Sequence, residues 1–373
     1  MIIDGHAHAF PSLHSHVGYA SPEEHMRAAQ VHVVAPSQPV FESATGRVVT
    51  EPTLSDGKGL GWSNLIDVNF RWGQYGRMEW TRDGRDYHLQ MFAPTFPESL
   101  DPEKMLALMG YAGVDRAMLH NAHMYGMLND YLGEVIRRFP GKFAGSVQVH
   151  EADCDHEEQI RELTRGVEEL NLTALHFQIE GFFRHDFRDA FDDVKFDVFW
   201  KEVERLGIPV LWNIRPLAMP RERNYVEQVV RLGRWAKRWK RIPSVFTHGV
   251  NVGLLMDDRG RVVIPEEMWE TLQLDNLYLE LLFPVMQGSR WDYPFPEAQE
   301  LVREFHRRLG PSKLLWGSDY PTSERAATYL QSLDYVRRHC KFLSAGDLDR
   351  ILYGTAAGLY KFPDAEPAIA ASE

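Results

Sequence analysis

The chain has 373 residues, a formal charge of −12, and 44% hydrophobic and 12% aromatic content, which is ample for a buried core and the size of one large α/β barrel with insertions or of two domains. The acidic balance argues against a nucleic-acid partner, and no apolar stretch is long enough to cross a bilayer, so no membrane partner is expected. The amino terminus lacks a basic region followed by a hydrophobic run, and the expectation is a cytoplasmic protein acting on a small molecule.

The first element in the chain is an apolar strand, Ile2-Ile3-Asp4-Gly5-His6-Ala7-His8-Ala9-Phe10, that runs into two histidines. In extended backbone His6 and His8 point to the same side. One divalent cation could touch both, with further ligands supplied from elsewhere in the chain. The alternative is a partly exposed strand end that happens to hold histidines. Residues 10–100 are dense in turn residues and carry a hairpin-like run from Arg77 to Tyr87 with Asp83-Gly84 at its turn. They read as an insertion after the first strand that sits above the catalytic face as a lid.

From about residue 100, helical and strand-like segments alternate as in βα units. A helix over Pro102 to Ala112 leads to a strand at Val114 to His120, and a helix over Asn129 to Phe139 to one at Phe143 to His150. Glu157 to Leu170 leads into Thr173 to Glu180, and Lys195 to Leu206 into Ile208 to Asn213. An amphipathic helix from Tyr225 to Trp239 feeds Ser244 to His248, and the last strands are Leu277 to Leu282 and Lys313 to Asp319. The basic run Arg231 to Arg241 reads as the solvated face of that helix, because Leu232, Trp235 and Trp239 recur at helical spacing. Asp257 to Trp269 reads as a small excursion. Cys154 and Cys340, the only cysteines, read as packing residues.

With the first strand the count is eight, the number that closes a (β/α)8 TIM barrel. An open doubly wound sheet is the alternative. The expected organisation is one barrel domain over 1–362, with a flexible tail at 363–373. The strand ends carry His6, His8, His120, Glu180, Asn213, His248, Glu280 and Asp319, and barrel active sites lie at that face.

Asp4-Gly5-His6-Ala7-His8, Ile208 to Asn213, Thr247-His248-Gly249, Leu315-Trp316-Gly317-Ser318-Asp319-Tyr320-Pro321 and the closing Asp347 to Ala357 resemble the amidohydrolase superfamily. The closest likeness is to its amidohydrolase-related branch, which includes aminocarboxymuconate-semialdehyde decarboxylase, γ-resorcylate decarboxylase and several hydrolases. The resemblance implies one divalent metal, zinc with manganese as the alternative, held by His6, His8 and Asp319, with His248 beside it as proton carrier. It also implies a homodimer. Independently, a divalent ion lowers the pKa of a bound water and a nearby imidazole or carboxylate accepts its proton. A carboxylate such as Asp319 that closes an apolar strand needs a cation or donors, a loop cap being the alternative.

Family members place a metal-binding histidine at the end of the fifth strand, where this chain has Asn213, whose amide oxygen is a weaker ligand. Glu180 is the preferred substitute, with His176 on the same strand as the other candidate, and loss of the metal is the third. Thr355 and Gly358 stand where the family has Asn and Arg. His120 and His123 read as pocket or loop histidines. Glu280 reads as a substrate contact, as an orienter of a ligand imidazole, or as a partner of Arg215. Arg215 and Arg71 are candidates for holding a substrate carboxylate. Trp72, Trp80, Trp212, Phe182 and Phe183 are candidates for an aromatic wall.

The first functional reading is a metal-dependent hydrolase of a small aromatic or cyclic carboxylated compound, acting through a metal-activated water. The alternative is non-oxidative decarboxylation of an aromatic or enoic acid, with His248 protonating carbon. A metal-free binding protein is the third reading.

Overall fold

Short runs buried along their whole length cannot alternate polar and apolar faces, so they must be covered on both sides. In this chain such runs alternate with helices that carry one apolar stripe, and a closed barrel satisfies both. The computed structural model describes residues 1–34, 38–96, 98–282 and 291–363. Residues 364–373, most of the expected tail, lie outside the described residues.

In chain order, β1 (Ile3–Ala7) is followed by the insertion, with α1 (Pro22–His32), β2 (Val40–Glu42), β3 (Val48–Val49), β4 (Arg71–Trp72), β5 (Arg77–Arg82) and β6 (Arg85–Gln90). The barrel resumes with α2 (Pro102–Ala112), β7 (Arg116–Leu119), α3 (Asn129–Arg138), β8 (Phe143–Val147), α4 (Glu157–Glu168) and β9 (Ala174–Gln178). It continues through α5 (Asp197–Leu206), β10 (Val210–Asn213), α6 (Arg221–Arg238), β11 (Ser244–Phe246), α7 (Glu266–Leu272), β12 (Leu277–Leu281), α8 (Pro296–Leu309) and β13 (Leu314–Trp316). The eight parallel strands run β1-β7-β8-β9-β10-β11-β12-β13, and the fold is a (β/α)8 TIM barrel. The insertion builds an antiparallel sheet in the order β3-β2-β6-β5-β4. Its β5–β6 hairpin turns at Asp83 and Gly84, both at positive φ, as the Asp-Gly pair predicts.

The barrel closes where β1 meets the segment after β13. The His6 carbonyl accepts from Ser318 N–H at 3.1 Å and Asp319 N–H at 2.7 Å, and His8 N–H donates to Tyr320 O at 3.1 Å. The buried Asp4 carboxylate locks this seam. Its Oδ1 accepts from His6 N–H at 3.0 Å and Ser318 N–H at 2.8 Å, and its Oδ2 from the Tyr329 hydroxyl at 2.9 Å. Gly5 is required here, since a Cβ would lie 2.8 Å from Leu315 Cδ1 and 2.9 Å from Trp316 O. At the other end Ile3, Met118, Leu211, Val245 and Leu315 pack with Ala356 and Tyr360 of the closing helix, which plugs the barrel floor.

Several expected boundaries shift. Helix α6 begins at Arg221, four residues before the first apolar position, because the polar run Arg221 to Asn224 leaves no mark on an apolar repeat. Helix α7 takes up the last four residues of the expected excursion, whose turn is confined to the segment bridged by Met256 and Val262. Strands β11 and β13 stop before His248 and Asp319, which take left-handed φ of 63° and 48° and cannot continue a strand. The basic run is a solvated face, with Arg231 on Asp192 and Arg241 on Glu204. Both cysteines are buried and unbridged.

Asp4→Ala strands three buried donors and should lower the unfolding free energy by about 3 kcal/mol or more, whereas Asp4→Asn, which keeps Oδ1, should cost about 1 kcal/mol. Urea unfolding followed by near-ultraviolet circular dichroism checks this. Equal losses would mean the seam does not depend on these bonds.

Candidate functional site

The residues that leave the carboxyl ends of the barrel strands meet at the floor of a cavity of about 460 Å³. Strand alternation on β1 delivers His6 and His8, and the turn after β13 delivers Asp319. His6 Nε2 lies 3.3 Å from His8 Nε2 and 3.6 Å from Asp319 Oδ1, and His8 Nε2 lies 3.0 Å from the same oxygen.

The partners on the far side of each ring define what these atoms are. His6 Nδ1 faces Glu280 Oε2 at 2.9 Å, an oxygen that also accepts the His248 backbone N–H, so His6 donates from Nδ1. His8 donates from Nδ1 to the His120 carbonyl at 2.9 Å. Both Nε2 atoms therefore carry bare lone pairs, and with Asp319 Oδ1 three lone pairs converge with no proton among them. Burial, followed by the neighbouring His120, His248, His8 and His176, pushes the His6 pKa well below its ordinary value and keeps it neutral.

Three converging lone pairs repel unless a cation sits between them. Tetrahedral zinc, at about 2.0–2.2 Å from nitrogen or oxygen, places its ligand atoms about 3.4 Å apart. The observed spacings bracket that value, so His6, His8 and Asp319 fit a divalent ion. The compact groups of possible ligand atoms are His6, His248 and Asp319, and His6, His120 and Glu280, and the second of these does not fit an ion. His120 spends Nε2–H on the Gly5 carbonyl at 3.0 Å and stacks on His6 at 3.7 Å, so its ring buttresses His6.

His248 completes the floor, its Nε2 being 3.7 Å from Asp319 Oδ2. Thr247 donates its hydroxyl to Trp212 O at 2.7 Å, so its oxygen accepts from His248 Nδ1 at 3.2 Å and leaves His248 Nε2 as the proton acceptor. Burial is the largest influence on His248 and lowers its pKa, with Asp319 opposing.

The insertion forms the opposite wall, where Phe41, Met91 and Phe92 line the cavity together with Tyr125 from the loop after β7. Tyr125 packs against His8 at 4.6 Å and stacks on Phe10 at 4.3 Å. Arg215, Arg221 and Arg325 supply positive charge to the lining. Arg325 also ties the insertion down, donating to Gln90 O at 3.4 Å and Thr322 O at 3.1 Å.

Several residues singled out in the sequence stand elsewhere. Glu180 is held by Arg215 and by His32 Nδ1 at 2.7 Å, and these two charges outweigh the large upward effect of burial and keep its pKa well below the carboxylate range. It is an anchor between barrel and insertion, outside the cavity lining, and it occupies the guanidinium of Arg215. Glu280 is fully buried behind His6 and positions that ring and the His248 backbone, without lining the cavity. Arg71 bonds to Asn69 O and lies 3.5 Å from Glu79, within the insertion sheet. Trp72 is buried against Phe92 at 5.6 Å, one layer behind the wall. Trp212 points outward, between the inward Leu211 and Asn213, into the helix layer beside Trp235 at 4.7 Å. Trp80, Phe182 and Phe183 are likewise core residues outside the cavity lining. Asn213 and His176 do line the cavity. His123 is buried between Glu151 at 2.6 Å and the Tyr19 hydroxyl at 2.9 Å.

His32, Tyr125 and Arg325 were not apparent in the sequence. Arg325, six residues past Asp319 on the loop of a barrel face, is the one that position alone signalled.

Solved structures share this fold at low identity. An amidohydrolase from Burkholderia multivorans with bound zinc is 19% identical, with 71% of this chain and 89% of that chain covered and a TM-score of 0.54. A 5-carboxyvanillate decarboxylase from Sphingomonas paucimobilis is 18% identical, covering 71% and 84%, with a TM-score of 0.52. A probable 2-pyrone-4,6-dicarboxylic acid hydrolase from Acinetobacter baumannii is 16% identical, covering 72% and 93%, with a TM-score of 0.52. No curated relative matches the chain. The family model described as amidohydrolase matches residues 3–362, and the chain belongs to the amidohydrolase family.

Proposed function

We propose that the protein is a metal-dependent hydrolase of a small aromatic or cyclic carboxylated compound. The observation that carries this reading is the convergence of three proton-free lone pairs, from His6, His8 and Asp319, at the floor of the cavity. A divalent ion held there, zinc or manganese, supplies a lowered pKa for bound water and polarises an oxygen of the substrate.

The chain's own groups do the rest. His248, neutral and with Nε2 open to the cavity, takes a proton from the attacking water and returns it to the leaving group. Glu280 and the His120 carbonyl hold the two first-strand imidazoles in one tautomer, so their basicity is set before substrate arrives. Arg221 and Arg325 attract a carboxylate to the walls, and Phe41, Phe92 and Tyr125 supply flat apolar surface for a ring. The insertion narrows access of water to the site.

A second reading uses the same groups. His248 stands where it can deliver a proton to a ring carbon as carbon dioxide leaves, and solved structures of the same fold include decarboxylases. Solvent deuterium found on carbon in the product, with release of carbon dioxide, would select that reading over hydrolysis.

Metal content by elemental analysis tests the centre. The purified protein should carry about one divalent ion per chain, falling more than tenfold in His6→Ala and Asp319→Ala, while Glu180→Gln keeps its metal because Glu180 is committed to Arg215 and His32. No metal after reconstitution with zinc or manganese would sink the proposal, and loss in Glu180→Gln would reassign that carboxylate. His248→Asn should retain the metal and lose about 100-fold or more in turnover, and a variant that loses metal instead would show His248 to be a ligand.

A further inference from the structure

We infer that His176 determines substrate specificity, as a buried acceptor in the cavity floor that selects, among small carboxylated rings, those bearing a hydroxyl or N–H donor. This rests on the reading above that the cavity takes a carboxylated compound, and it adds a feature of that compound.

Alternation along β9 sends Ala174, His176 and Gln178 to the barrel interior, and His176 is only 2% exposed while lining the cavity. Its Nδ1 bonds to the carbonyl of Asn121, so that nitrogen carries the proton. Its Nε2 is then a bare lone pair, buried and with no partner among the described residues. The device is the one that orients His8. The successive carbonyls of His120 and Asn121 hold His8 from the β1 side and His176 from the β9 side, each in the tautomer that leaves Nε2 unprotonated.

The two lone pairs have different destinations. That of His8 meets His6 and Asp319, whereas that of His176 meets no polar partner among the described residues. Gln178, the next inward residue, is already engaged, its oxygen by His123 N–H at 3.0 Å and its nitrogen by Glu180 at 3.3 Å. His120 also has an unpartnered nitrogen but does not line the cavity. His176 is thus a buried acceptor, separate from His248 and Asp319, that a molecule in the cavity can meet. Burial pushes its pKa down to about 3, so it stays an acceptor throughout the neutral range.

A carboxylate, ether or carbonyl oxygen set against this nitrogen would oppose lone pair to lone pair. An O–H or N–H completes the bond instead, and a pocket built around such a bond rejects analogues that cannot make it far more strongly than one discriminating by shape.

Titration calorimetry on the full-length, zinc-loaded protein tests this with the three monohydroxybenzoates, each beside its methoxybenzoate counterpart. At least one hydroxyl isomer should bind about tenfold or more tightly than its methoxy partner. In His176→Leu the two should come within about twofold of each other, because the lost contact is the bond and not the space. His176→Gln, which keeps an amide oxygen, should retain the preference. Equal binding of both members by the unaltered protein, or an undiminished preference in His176→Leu, overturns the inference. Failure of every benzoate to bind overturns the carboxylate reading and the inference with it.

Discussion

The site depends on one seam. Three backbone hydrogen bonds join His6 and His8 to Ser318, Asp319 and Tyr320, and they close the barrel. The same bonds set the separation of the two imidazoles from the Asp319 carboxylate. Asp4 and Ser318 stand 314 residues apart in sequence, so the site cannot exist before the first and last strands have met. Closure stability and ligand geometry are therefore one property. This explains why a fully buried carboxylate is tolerated at Asp4, whose pKa burial raises to about 6. Its three donors offset much of that cost, and what it secures is the position of every group that touches the floor.

Given that seam, the chemistry of each imidazole is decided by its second nitrogen. Glu280 makes His6 a donor at Nδ1, the His120 carbonyl does the same for His8, and Thr247 for His248. The Gly5 carbonyl instead takes Nε2–H of His120 and removes that ring from the set that faces the floor. Four histidines of identical composition thus become two candidate ligands, one base and one buttress. Burial supports this division by disfavouring the imidazolium forms of His6, His120 and His248.

Much of the barrel was legible because its signals are local. The strand-and-helix alternation, the Asp83-Gly84 turn and the paired histidines of β1 each follow from a periodicity or a backbone preference spanning a few residues. The placement of Trp212 was also within reach, since one strand cannot send both Asn213 and its neighbour inward. Glu180 is different in kind. A strand-end carboxylate reads as a ligand until its partners are known, and those partners, His32 in the insertion and Arg215 after β10, are brought to it only by the tertiary fold. Arg71 likewise found a carboxylate within its own sheet. Pattern tells which face of an element a residue occupies, and not which opposite charge arrives there first.

That distinction also governs what the insertion does. It is pinned by His32 on Glu180, a part-buried contact, and by the buried Tyr19 on His123, with His123 in turn on Glu151. These bonds hold Phe41, Met91 and Phe92 over the open end of the barrel, where they wall the cavity. Enclosure lowers the local dielectric and lengthens the reach of each charge inside. The overall charge of −12 describes the outer surface, where water and salt screen it. The cavity lining itself carries Arg215, Arg221 and Arg325 together with Asp319 and Glu324. Low-dielectric walls focus the field of the charges that line them, so the sign of the potential inside a cavity need not follow the sign of the whole chain.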